Sequence, residues 1–143
     1  MKKTFTLIET LVAISIFLFA ISFIVSGFSR FISAQQTVTN QLIAAYLAQD
    51  AIETIRNQRD TNWLTQQNWN NLTNSQVACS PLKFSQNIGY NCSVGNPTIF
   101  SRQVQIQNLS SNEVLIQVSV SWREKWGNAT FSVAQKLYNW LSP

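Results

Sequence analysis

Phe5-Thr6-Leu7-Ile8-Glu9-Thr10-Leu11-Val12-Ala13 opens an apolar run in which every position from Thr10 to Ser29 is uncharged. A helix needs about 20 mostly apolar residues to cross a bilayer, so the sequence predicts a transmembrane helix over residues 5–30. Glu9 is the exception within this run. A carboxylate in such a span costs roughly 2.5 to 3.5 kcal/mol on insertion scales, and it is retained where it has a partner or a task. We therefore interpret Glu9 as a functional residue.

Two simpler explanations of the apolar run remain open. A secretory signal peptide has an apolar core of about 7 to 15 residues and a small-residue cleavage site. The run here is longer, and Ile32-Ser33-Ala34 is a poor site of that kind. A plain signal anchor fits the length but gives no reason for Glu9.

The charges that flank the run predict its orientation. Lys2 and Lys3 precede it, and Arg30 follows it closely. Because basic residues are retained on the cytoplasmic side, we expect a single pass through the inner (cytoplasmic) membrane with the N-terminus in the cytoplasm. The rest of the chain would then lie outside.

The sequence Met1-Lys2-Lys3-Thr4 followed by Phe5-Thr6-Leu7-Ile8-Glu9 resembles the leader and mature start of type IV prepilins. The resemblance implies cleavage between Thr4 and Phe5, N-methylation of Phe5, and Glu9 as the fifth residue of the mature chain. Thr4 stands where the family usually has Gly. Residues 1–4 are therefore expected to be a prepilin leader that a prepilin peptidase and methyltransferase processes.

Two further stretches are similar to one group within this family, the minor-pilin-like proteins with a prepilin cleavage and methylation domain. Ala44 to Leu64 is similar to the end of their long helix, and Val118 to Trp122 with Leu137 to Trp140 resembles their C-terminal pattern. The resemblance implies a pilin fold and a structural subunit, most often a minor pilin of a type IV pilus. The alternatives are a pseudopilin of type II secretion or DNA uptake and, in another class, a membrane-anchored binding domain that does not polymerise.

The family resemblance also implies partners. These are other pilins or pseudopilins through the N-terminal helix, the pilus assembly platform and the membrane itself, with Glu9 meeting the amine at Phe5 of a neighbouring subunit. The filament would be extracellular or periplasmic. The net charge of +4 is too small to indicate nucleic acid as a main partner.

Composition argues against an enzyme. The chain has no His, and only 11% of its residues are charged. Its external acids fall on different predicted elements, so no acid–base or nucleophile pair is suggested; they are Asp50, Glu53, Asp60, Glu113 and Glu124.

Cys79 and Cys92 are the only two cysteines. In an oxidising compartment they would form a disulfide, which closes a loop of about 14 residues and contributes roughly 3 kcal/mol in the chain-entropy model. The alternative is two unpaired buried thiols. With no His and no third Cys beside them, we expect no metal site and no cofactor.

Beyond the membrane span the apolar period remains helical over residues 31–58. The predicted apolar stripe steps by three or four residues and consists of Val38, Leu42, Ala45, Ala48, Ile52 and Ile55. The other side should be a solvated or subunit-facing surface formed by Gln35, Gln36, Asn40, Asp50, Glu53 and Asn57.

Residues 59–97 are rich in amides, Gly and Pro and predict a connecting loop that carries the Cys pair. Trp63 and Trp69 should pin this loop to the core. Residues 98–143 change to a period of two, with turn signals at Ser110-Ser111-Asn112 and Gly127-Asn128, which predicts an antiparallel three-stranded meander. The predicted fold class is thus α+β, a long N-terminal transmembrane and amphipathic helix packed on a small antiparallel β-sheet.

Overall fold

The structure, a computed structural model, describes residues 6–124 and 127–140. These residues form one long helix and six strands in the order α1 (Leu7–Leu64), β1 (Lys83–Ser85), β2 (Gly89–Asn91), β3 (Asn96–Pro97), β4 (Phe100–Ser110), β5 (Glu113–Glu124) and β6 (Gly127–Tyr138). The chain divides into two compact units between Thr39 and Asn40, within α1. The predicted α+β class, a long N-terminal helix with a small antiparallel sheet, is confirmed and is consistent with a pilin-like fold.

The described part of the first unit consists of α1 alone up to Thr39. Helix α1 is long and apolar enough to cross a membrane, by its length and composition. The predicted leader 1–4 and Phe5 lie outside the described residues.

The main sheet of the second unit is the predicted meander, with strand order β4-β5-β6. Its antiparallel register pairs Val104 with Val118 and Val120 with Phe131. Because side chains alternate between the two faces of a strand, one face of β5 is fully buried through Val114, Ile116, Val118, Val120 and Trp122. This face forms the core against the Asn40–Leu64 part of α1.

The helix face in the core differs from the predicted stripe. Ala48, Ile52 and Ile55 are buried as expected, but Val38 and Leu42 are exposed and Ala45 is half-buried. The core takes instead Ala44, Leu47 and Ala51. The predicted stripe took one residue per turn, whereas the buried face has the i, i+3, i+4, i+7 spacing of a full helix face. Val38 lies in the first unit, which is separate from the unit that contains the sheet.

Helix α1 also continues beyond the predicted end at Gln58, to Leu64. The Arg59 guanidinium lies 4.6 Å from the ring centroid of Trp63, one turn later, and this cation–π contact supports the extra turn. Gln66 then adopts a left-handed backbone with φ of 57°, a conformation typical of the residue that ends a helix.

The predicted loop region contains a second small sheet. Strands β1, β2 and β3 pair antiparallel in the order β2-β1-β3. Strands of two or three residues are too short to show a period of two, so the sequence pattern could not reveal them. Trp69 is buried in the core as expected, and its ring stacks on that of Trp63 with centroids 6.5 Å apart.

Candidate functional site

The apolar half of α1 exposes its large side chains. From Leu7 to Ile32, the large aliphatic and aromatic residues of the described chain are all exposed, with Leu7 at 80% and Phe23 at 77%. Contiguous apolar surface on this scale marks a membrane or protein contact. This segment of the helix is therefore the candidate site of membrane or protein contact.

The hydroxyl groups in this segment are satisfied within the helix. Ser15, Ser22 and Ser26 donate to the carbonyl oxygens four residues earlier at 2.8, 2.8 and 2.9 Å. Ser29 and Ser33 do the same at 3.1 Å. A hydroxyl that is already hydrogen-bonded costs much less to place in hydrocarbon than a free one. The serines therefore do not prevent insertion, which composition alone could not establish.

Glu9 lies exposed in the first turn of α1. The backbone N–H groups of Glu9 and Thr10 both donate to the Thr6 carbonyl, at 3.1 and 3.3 Å, so the helix begins directly after Thr6. Thr6 and Glu9 thus have the spacing of a capping box, a signal that the sequence contains and that our interpretation of Glu9 had missed. A carboxylate at this end of a helix gains about 0.3 to 1 kcal/mol from the helix dipole.

That local gain is smaller than the insertion cost of roughly 2.5 to 3.5 kcal/mol for a carboxylate within a span. Among residues 6–124 and 127–140, no ion pair involves the Glu9 carboxylate. Helix capping alone therefore does not compensate for the charge, and Glu9 requires a further partner if this segment is in the membrane.

The second predicted site, the Cys79–Cys92 disulfide, is present, and its Cα atoms are 5.5 Å apart. Cys79 forms an antiparallel bridge with Arg102 of β4, and Cys92 directly follows β2. The disulfide therefore fastens the small sheet to the edge of the main sheet.

Arg102 is an anchor that the sequence analysis did not single out. Its side chain donates to the carbonyl oxygens of Val77 and Leu47, at 2.6 and 2.7 Å, and to Asp50 Oδ2 at 2.8 Å. Asp50, which we had placed on the solvated helix surface, is indeed exposed but holds this pair. The available signal was a charged residue at an apolar-face position of an alternating strand.

No group of three or more His, Cys, Asp or Glu side chains within the described ranges could hold a metal ion. The chain matches no protein-family model, no curated protein and no solved structure. The features that bear on its function are therefore α1, the N-terminal motif and the small disulfide-linked second unit, residues 40–143, which we call the head.

Proposed function

We propose that this protein is a pilin-like structural subunit, a minor pilin of a type IV pilus, which is processed after Thr4 and assembled through its apolar N-terminal helix. The observation that carries the proposal is the exposed apolar half of α1 with Glu9 in its first turn. The α+β head and the Phe5-Thr6-Leu7-Ile8-Glu9 motif support it.

The proposed mechanism follows from the need to remove the exposed apolar side chains of α1 from water. Before assembly the segment from Leu7 to Ile32 rests in the inner membrane, where its side chains are removed from water. In a filament the same side chains pack against the helices of neighbouring subunits, so the hydrophobic free energy is retained when the subunit leaves the lipid. The satisfied serine hydroxyls suit both surroundings.

Glu9 supplies the specific step in this mechanism. Cleavage before Phe5 creates a new amine, and the amine of a neighbouring subunit is the counter-charge that we assign to the Glu9 carboxylate. In a water-free surrounding such a pair is favoured strongly over an isolated charge. The pairing would set the axial register of one subunit on the next.

The head would remain on the outer side of the membrane, where the disulfide is stable. The partners under this proposal are other pilins, the prepilin peptidase and methyltransferase, and the assembly platform. The function is structural, with no catalytic step.

Mass spectrometry of the protein from native membranes or filaments tests the proposal. We expect a chain that starts at Phe5 and carries a methyl group on its amine. Thr4→Gly should increase the processed fraction, because Gly restores the residue that the family usually has before the cut. A mature N-terminus at Gln35, after Ala34, would instead show a cleaved signal peptide and contradict the proposal.

A further inference from the structure

Strand β6 leaves one long edge of the main sheet unpaired. It pairs with β5 along its whole length, from Glu124 with Gly127 to Glu113 with Tyr138. In the part of the chain that the structure describes, no backbone hydrogen bond reaches its outer side. A free edge of this kind presents a row of N–H and C=O groups that another extended chain can pair with.

The opposite edge of the sheet is covered. Cys79 and Arg102 exchange two backbone hydrogen bonds of 2.9 and 2.8 Å, and the Leu82 N–H donates to the Phe100 carbonyl at 2.7 Å. The Asn74 side chain donates to the Val104 carbonyl at 2.9 Å. The 74–82 segment therefore protects the edge of β4 over residues 100–104.

The edge of β6 also lacks the devices that usually prevent strand pairing. It contains no Pro, and its register with β5 has no bulge. Its one charged residue, Lys136, lies near the C-terminal end and pairs with Glu113. The edge from Gly127 to Gln135 is therefore open and uncharged.

The register shows which groups of β6 point outward. Arg102 directs its N–H and C=O away from β5, so in the alternating ladder Val120 directs its own toward Phe131. The neighbouring Thr130 and Ser132 then point their backbone groups at the free edge. Their side chains are exposed on the face away from the helix.

A groove of about 660 Å³ lies beside this edge, between β6 and the Asn40–Leu64 part of α1. Ile52 and Val133 provide its apolar surface, and Asp50, Glu53 and Arg56 provide its charges. Asp50 pairs with Arg102 and Glu53 pairs with Arg56, so these charges are balanced in ion pairs. The groove therefore suits the apolar side chains of a partner.

We propose that the β6 edge binds an extended strand of a different subunit, whose groove-facing side chains are apolar. The backbone of that strand pairs with β6, and its alternate side chains enter the groove. The restriction to a different subunit rests on the proposed function, because it assumes that both subunits are anchored in the same membrane by their N-terminal helices.

Self-association fits the geometry poorly. Antiparallel pairing of β6 with β6 of a second copy needs a two-fold axis normal to the sheet, and this axis reverses the direction of α1 between the copies. Two such helices could not lead into one membrane from the same side. Pairing of β6 with β4 of a second copy is blocked over residues 100–104 and could use only residues 105–110. A different chain with a bare strand avoids both conflicts.

Amide hydrogen exchange on the ¹⁵N-labelled full-length protein in detergent micelles tests the edge. The probe is the peptide acetyl-TVTKTVT-amide, whose two Val side chains face the groove and whose central Lys keeps the peptide soluble. We expect exchange at Thr130, Ser132 and Ala134 to slow about fivefold when four-fifths of the sites are occupied. The amides of Phe131 and Val133, which already face β5, should not change.

Matched controls separate strand pairing from nonspecific contact. The peptide acetyl-TVPKPVT-amide keeps the groove-facing residues but lacks two N–H groups that an antiparallel strand directs at β6, so it should not slow exchange. Ser132→Pro should abolish the effect while Ser132→Ala retains it, because only proline removes the outward N–H. No slowing with the first peptide up to about 10 mM, or equal slowing with both peptides, would overturn the proposed edge.

The identity of the partner is tested in native membranes with a photo-crosslinking residue at position 132 and, as control, at the neighbouring position 119 of the central strand β5. We expect position 132 alone to give an adduct, mapped to an alternating extended segment of a different pilin-like chain. An adduct between two copies of this chain would overturn the assigned partner. Processing at Phe5 is measured separately by mass, so failure of the edge leaves the proposed function standing, and failure of processing is seen independently of the edge.

Discussion

At the scale of single residues, Arg102 joins three parts of the head. Its side chain is only 2% exposed, whereas that of Asp50 is 59% exposed. Because the Asp50 carboxylate is exposed, water screens its attraction to Arg102, and this ion pair contributes about 0 to 1 kcal/mol to stability. The two hydrogen bonds to the carbonyl oxygens of Val77 and Leu47 are buried, and each charged bond is worth about 1.5 to 3 kcal/mol. The carbonyl contacts therefore dominate.

This difference gives a prediction. Arg102→Met should lower the free energy of unfolding by about 3 kcal/mol, because both carbonyls lose their charged donor. Asp50→Asn should cost less than about 1 kcal/mol. Urea unfolding of the disulfide-intact protein in micelles, followed by Trp fluorescence, measures both changes. Equal losses from the two substitutions would show that the ion pair, rather than the carbonyl contacts, is the anchor.

A second residue-scale prediction concerns pH. The hydrogen bond from Lys136 to Glu113, together with the charge of that carboxylate, raises the pKa of Lys136 above its ordinary 10.5. A raised pKa in the folded protein stabilises it below 10.5, and this stabilisation is lost as the pH rises through the folded-state pKa. The difference in urea midpoint between the wild type and Lys136→Met should therefore be small, constant from about pH 7 to about pH 10 and smaller above it. Glu113→Gln should show the same dependence, and a difference that grows with alkaline pH would contradict this account.

At the scale of elements, the long periodic segments were predictable and the short ones were not. The period of two placed β4, β5 and β6, and the apolar run placed α1. The buried helix face was only partly predicted because the stripe took one residue per turn, whereas Ala44, Leu47 and Ala51 on the same face are buried as well. The helix end was missed because Arg59 and Trp63 support each other only once the helix has formed. Strands β1 to β3 have only two or three residues each, which is too short for a period of two to appear in the sequence.

The disulfide gives an element-scale prediction. Replacing both cysteines by serine should destabilise the head by about 3 kcal/mol in the chain-entropy model. The effect should concentrate in the small sheet, because β1 to β3 lie at the linked segment and the main meander has its own core. Amide exchange at Phe84 and Tyr90 should accelerate more than at Val118. Equal acceleration at all three positions would show that the disulfide supports the whole head rather than the small sheet.

At the scale of the whole molecule, the two units differ in whether their apolar side chains are buried or exposed. The second unit buries its own core, including Ile55, Ile116 and Val118. The described part of the first unit exposes its apolar side chains along the helix, as a surface for membrane or protein contact does. Under the proposed function, this division would let the chain exist first in a membrane and then in an assembly.

The measurement that tests this account most directly compares crosslinking in the span with and without Glu9. Cysteines are placed singly between Leu11 and Ile24 in a variant that lacks Cys79 and Cys92, and adducts with pilin partners are counted in native membranes and filaments. We predict that Glu9→Ala leaves the protein inserted, since it removes the insertion cost, but strongly reduces these adducts. Glu113→Ala, which removes a carboxylate from the head, is the matched control and should leave them unchanged. Unaltered crosslinking to pilin partners in Glu9→Ala would contradict the role of Glu9 in assembly.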